Sequence, residues 1–136
     1  MTTSESPIGQ RFAFRKTMTV AEQAMFTGIS GNMGAQYVDA TQARKVGAAG
    51  MVSFELAIAA LATTSLAKLG GPRRRIAHLE LSFREAVAVG SSIQAEAEVV
   101  AVEGDAMVCR VRCTHAESGR VVVEGTARLE TFGDKD

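Results

Sequence analysis

Gly50–Leu69 reads GMVSFELAIAALATTSLAKL and holds the longest apolar helix pattern in the chain. Alanine and leucine dominate it and proline is absent, so composition and length both predict a helix from Gly50 to Leu69. Gly70-Gly71-Pro72 supplies the stop, and Lys68 sits favourably for the dipole in the last turn. Glu55 and Lys68 are its only charges, so the helix reads as apolar nearly all round and should be buried. Its length borders on that of a membrane span. Glu55, Thr63, Thr64 and Ser65 argue against one. The rest of the chain is expected to wrap around this helix.

A chain of 136 residues is long enough for one domain with its own core. The 15 basic and 15 acidic side chains cancel, which removes the electrostatic pull expected of a nucleic-acid partner or an anionic membrane surface. Tryptophan is absent, so a base-stacking platform is not expected either. Cys109 and Cys113 fall on one face of a predicted strand, too far apart along it to bond. They read as reduced, small apolar residues of a cytoplasmic protein, and with His115 alone nearby no metal site is expected. The opening MTTSESPIGQ lacks the basic-then-apolar order of a secretory signal and reads as a short flexible tail over residues 1–9, leaving one domain over 10–132.

Upstream of the helix, Arg11–Met18 alternates as a short strand, and Thr19-Val20-Ala21-Glu22 has capping-box spacing. A first helix should follow to Ile29, with Val20, Ala24, Met25 and Ile29 toward the core. Ser30–Tyr37, with two glycines and an asparagine, reads as a loop. Asp39–Lys45 reads as a short capped helix ending in basic residues.

Downstream, four alternating segments follow: Arg75–Phe83, Ile93–Val102, Ala106–His115 and Arg120–Glu130. Glu103-Gly104-Asp105 and Glu117-Ser118-Gly119 supply tight turns, and Gly125 marks a bulge or a close approach. The fold class is α+β: a five-stranded antiparallel sheet wrapped around one long central helix, the hot-dog arrangement.

Three blocks of sequence resemble the MaoC-like proteins, the (R)-specific enoyl-CoA hydratase group, over about Ile8 to Leu129. Ser30-Gly31-Asn32-Met33-Gly34-Ala35-Gln36-Tyr37-Val38-Asp39 is similar to that family's S-G-D-x-N-P-[LIV]-H-x-D loop. Gly47 through Gly50-Met51 resembles its G-G…H-G-M entry to the helix, in shortened form. Leu81 through Gly90 is similar to its R-F-x-x-P-V-x-x-G-D stretch. The resemblance implies chemistry on acyl thioesters carried by coenzyme A or acyl carrier protein, with no cofactor beyond the coenzyme A of the substrate. It also implies a homodimer or a higher multiple.

At the positions of the family's Asp/His dyad this chain carries Asn32 and Tyr37. Asn32 can hold a water but lacks a basic carboxylate. Tyr37 donates a hydrogen bond readily and accepts a proton poorly at neutral pH. Glu55 is the candidate replacement base, at the offset from Gly50 that the catalytic glutamate has in the acyl-carrier-protein dehydratases of the same fold. A carboxylate on an apolar helix suits that work, although a first-turn glutamate also serves the dipole. Gly50 and Met51, placed at the helix start, would offer backbone N–H groups to a thioester carbonyl. Arg73, Arg74 and Arg75 would meet coenzyme A phosphates. Three reactions or roles remain open on the residues: hydration or dehydration, thioester hydrolysis with Glu55 activating water, and non-catalytic thioester binding. His78 reads as a surface or dimer-interface residue.

Overall fold

The computed structural model describes residues 6–133. Along them run β1 (Arg11–Thr17), α1 (Val20–Ser30), α2 (Ala35–Val38), α3 (Ala40–Lys45), α4 (Glu55–Gly70), β2 (Arg74–Phe83), β3 (Ser92–Glu103), β4 (Ala106–His115) and β5 (Val121–Thr131). The strands form one antiparallel sheet in the order β1-β3-β4-β5-β2. This is the expected hot-dog arrangement, with α4 packed chiefly on β3 and, beyond it, β1 and β4.

Strand alternation places the core as anticipated. Ile93, Ala95, Ala97 and Val99 of β3 are all fully buried, as are Cys109, Val111 and Cys113 of β4. Alanines on β3 let α4 approach closely, and the Ser65 hydroxyl donates to the Ala95 carbonyl at 3.0 Å to tie helix to sheet. Both cysteines are free, and burial pushes each thiol up to about 11. Leu66, Phe54, Ile58 and Leu129 complete the interior.

β2 departs from simple alternation. Ile76 and Leu81 both pack against the core, although strict period two would put them on opposite faces. A register shift between Ile76 and His78 in the pairing with β5 reverses the faces and reconciles them.

The central helix needs two corrections. It begins at Glu55, not Gly50. The preceding backbone is committed sideways: Val52 N–H donates to Gln36 at 2.9 Å, Ser53 N–H to Val87 at 2.7 Å, and the Met51 carbonyl accepts from Val89 at 2.9 Å. Those bonds, with the bridge between Val52 and Ala88, hold the segment extended despite its helical composition. Nor is the helix buried all round. Leu56, Ala60, Thr63, Thr64, Ala67 and Lys68 lie along an exposed stripe in the single chain.

α1 starts where its capping box places it. Ala21 N–H donates to the Thr19 hydroxyl, which donates in turn to Glu22, while Thr19 N–H reaches the same carboxylate at 2.6 Å. The Thr19 hydroxyl, the Lys16 ammonium and the Thr19 N–H hold the Glu22 carboxyl down at about 2. The face expected to be buried is exposed, however: Val20, Ala24, Met25 and Ile29 point away from the core. The cap fixes the helical phase so that Gln23 and Phe26 turn inward. The loop expected over Ser30–Tyr37 also contains structure, since α1 ends at Ser30 and α2 begins at Ala35. Asp39 caps α3 as anticipated, accepting from Thr41 and Gln42. Of the expected N-terminal tail, residues 1–5 lie outside the described residues, and Gly9 N–H donates to Val99 of β3 at 2.8 Å. No helix among the described residues is long and apolar enough to cross a membrane.

Candidate active site at the start of the central helix

The Asn32–Gly34 turn sets up Tyr37. Ser30 donates to the Phe26 carbonyl and accepts from Asn32 N–H, and the Asn32 side-chain oxygen accepts from Gly34 N–H at 2.8 Å. That Asx turn starts α2 and aims Tyr37 back at α4. The Tyr37 ring stacks on Phe54 with centroids 4.4 Å apart and planes 17° apart, and Phe54 meets Phe26 at 4.9 Å. At the end of this aromatic row the Tyr37 hydroxyl donates to Glu55 Oε1 at 2.7 Å.

Glu55 is the first residue of α4, and Phe54, which precedes it, provides no side-chain cap. The N–H groups of Glu55 and Leu56 have no hydrogen-bond partner among the described residues. A carboxylate and the positive end of a helix therefore meet at one point, each half-open to solvent. The bond to Glu55, then burial, then the glutamate's charge raise the Tyr37 phenol above its ordinary 10, with Gln36 opposing weakly. Tyr37 thus stays a proton donor throughout the neutral range.

Tyr37 and Met51 share an apolar cavity of about 270 Å³ with Val20, Gln23, Ala24, Thr27 and Val38. Of the residues picked from the sequence, Tyr37 and Met51 line this cavity, and Glu55 joins them through its bond with the Tyr37 hydroxyl. Asn32 is exposed and bonded within its own turn, so it shapes the loop carrying Tyr37. Gly50 lines a separate slot of small residues with Gly47, Ala48, Ala49 and Ala86–Ala88. Because α4 starts at Glu55, the unpaired helix-end donors belong to Glu55 and Leu56, whereas Gly50 and Met51 lie in the non-helical lead-in.

The arginines lie at the other end of α4, about 24 Å along the helix axis. Arg74 is already engaged: Nη1 donates to the Gly70 carbonyl at 3.0 Å and Nε to the Asp105 carbonyl at 2.9 Å. It caps the helix C-terminus, whereas Arg73 and Arg75 are exposed and have no ion-pair partner among the described residues.

Two residues of the site escaped sequence reasoning. Phe54 fell inside the helix expected from Gly50 to Leu69, and Gln23 was not among the residues expected to face the core. The carboxamide of Gln23 is in fact buried, donating to the Tyr37 carbonyl at 2.9 Å and the Val52 carbonyl at 2.7 Å. The capping box carried the signal, since it places Gln23 on the same helix face as Phe26.

A model of the thioesterase superfamily matches residues 46–123, more than half of the chain and inclusive of Glu55. The chain belongs to the thioesterase superfamily. No curated protein sequence matches it. Among solved structures, this thioesterase-superfamily chain resembles the (R)-hydratase from A. caviae involved in PHA biosynthesis. That match has 24% identity and a TM-score of 0.88 over 95% of this chain and 99% of the other. It also resembles the MaoC-like dehydratase from Rhodospirillum rubrum, at 23% identity and a TM-score of 0.74 over 95% and 94% of the two chains. A third likeness is to a point mutant of a fluoroacetyl-CoA-specific thioesterase, at 13% identity and a TM-score of 0.68 over 96% and 90%. At these identities the likenesses establish a common fold.

Proposed function

We propose that this protein hydrates or dehydrates short acyl thioesters of coenzyme A or acyl carrier protein, with Glu55 as base and Tyr37 as acid. The hydrogen bond between those two side chains carries the reading. Adding water across an enoyl thioester needs one group to take a proton from water and another to give a proton to the α-carbon. Glu55 accepts the first proton as the water oxygen bonds to the β-carbon. The displaced π electrons move toward the thioester oxygen, which the N–H groups of Glu55 and Leu56 stabilise. The Tyr37 phenol then protonates the α-carbon, and Glu55 returns its proton to the phenolate through the bond they share. Dehydration runs the same steps backwards. A cavity of about 270 Å³ lies at the small end of ligand pockets and favours a short acyl chain beside Met51. Asn32 holds the turn that carries Tyr37.

A thioesterase is the second reading, favoured by the family model that spans Glu55. There Glu55 would activate water against the carbonyl and Tyr37 would only orient it. Loss of enoyl absorbance from crotonyl-CoA is the expected result for the first reading, and release of free thiol for the second. Coenzyme A binding with both assays flat would overturn both and leave a thioester-binding role.

The reading includes a homodimer built on β2. This strand is an edge, its outward backbone groups have no strand partner among the described residues, and Leu79 and Phe83 stay half-exposed. Antiparallel pairing of two β2 strands about a two-fold would place each Arg73–Arg75 end beside the partner's Phe83 end. From Phe83 the chain runs to Ala88, which bridges to Val52 at the site. Arg73 and Arg75 would thereby reach the phosphates of coenzyme A bound at the partner's Glu55. Replacing both with alanine should weaken coenzyme A binding and flatten its salt dependence while leaving the dimer intact. A monomer in sedimentation at micromolar concentration, or unchanged binding by the double variant, sinks the arrangement.

A further inference from the structure

We infer that Gln23 is the positioning residue of the Tyr37–Glu55 pair. Its buried carboxamide ties the backbone that carries the phenol to the backbone that carries the carboxylate. The inference deepens the proposed function and rests on the same pair of side chains.

Tyr37 and Glu55 belong to different elements, α2 and α4, and apart from the ring stack on Phe54 their own side chains provide one bond between them. Gln23 supplies the frame. It sits on α1, only 7% exposed, and uses both amide hydrogens: one reaches the carbonyl of Tyr37 itself at 2.9 Å, the other the carbonyl of Val52 at 2.7 Å. Its oxygen faces Phe54 N–H at 3.4 Å, at the residue directly before Glu55. A single planar group thus fixes three backbone points around the pair.

Only a carboxamide of this length has the required valence. Two donors and one acceptor must leave one side chain in a plane, which no hydroxyl, ammonium or carboxylate provides. An apolar side chain of similar size would fill the space but leave the buried Val52 carbonyl and Phe54 N–H unpaired, and the turn carrying Tyr37 would shift to recover partners. The Gln23 side chain also lines the cavity proposed for the acyl group, so a shift there would move the phenol relative to the substrate.

The chain offers a direct readout, because Tyr37 is its one tyrosine and tryptophan is absent. Alkaline titration of the phenolate absorbance in the intact protein therefore reports on Tyr37 alone. In Gln23→Met the phenol–carboxylate bond lengthens, and the midpoint should fall from its raised position toward the ordinary 10, as it should in Glu55→Gln. In the Glu55→Gln background, Gln23→Met should add no further shift. Turnover of the preferred thioester should fall about 10- to 100-fold in kcat with little change in KM. Gln23→Asn keeps a shorter carboxamide and gives the same readout should the methionine variant fail to fold; its shift should have the same sign. A folded variant whose Tyr37 titrates where the native protein does overturns the inference. Native protein inert on every thioester would instead sink the catalytic reading and leave the titration test standing.

Discussion

Glu55→Gln is expected to lower kcat by about 10²- to 10⁴-fold on the preferred acyl thioester, with KM and folding stability nearly unchanged. At a thousandfold this is about 4 kcal/mol of transition-state stabilisation. Glutamine keeps the shape and retains an oxygen to accept from the Tyr37 hydroxyl, so the 2.7 Å bond can persist. The substitution removes basicity and negative charge and little else. Loss of that charge should also bring the Tyr37 midpoint down toward 10, because the carboxylate's hydrogen bond and charge both oppose a phenolate beside it. The same cause would set the alkaline limit of the proposed activity. Tyr37 must be protonated to act as acid, so activity should persist to a pH above 10 before phenol ionisation removes it. Wild-type rates for Glu55→Gln in both the hydration and thiol-release assays would end the proposal that Glu55 is the base.

The sheet was legible in the sequence because each strand interior repeats one local rule. Ile93, Ala95, Ala97 and Val99 alternate with polar residues, and burial follows directly. The Thr19 capping box and the Asp39 cap were equally local and equally readable. Misreadings came where a distant partner decided the outcome. Gly50–Phe54 has helical composition, yet bonds to Gln36, Val87, Val89 and Gln23 keep it out of the helix. No window of sequence contains those partners. The bulge at Ile76/His78 escaped for the same reason, since it exists only against β5. In the site, Tyr37 and Glu55 were each singled out by chemistry and by a family resemblance. That they touch required the stack of Tyr37 on Phe54. Gln23 was missed because a glutamine on an amphipathic helix ordinarily faces water.

Gly125→Ala is expected to be the most destabilising single-methyl addition in the sheet, at about 3 kcal/mol. Gly125 sits mid-strand in β5, opposite Val111 of β4 on one side and Leu81 of β2 on the other. A Cβ built there would lie 1.9 Å from the Glu80 carbonyl oxygen and 2.9 Å from the Leu81 Cα. The obstruction is backbone, so no rotamer change relieves it. The strand with freedom to retreat is β2, which pairs only with β5. Its retreat would withdraw Ile76 and Leu81 from the core they pack against. A fall of about 10 °C in the melting midpoint follows for a domain of this size. If β2 is also the dimer seam, the variant should dissociate at concentrations where the native protein remains paired. Gly28 is the control. It lies on α1 with nothing within 4 Å of where a methyl group would stand, so Gly28→Ala should be stabilising by about 0.5–1 kcal/mol through helix propensity. An unchanged midpoint for Gly125→Ala would mean that β2 does not hold the position that puts Ile76 and Leu81 into the core, and the edge proposed for dimerisation would have to be redrawn.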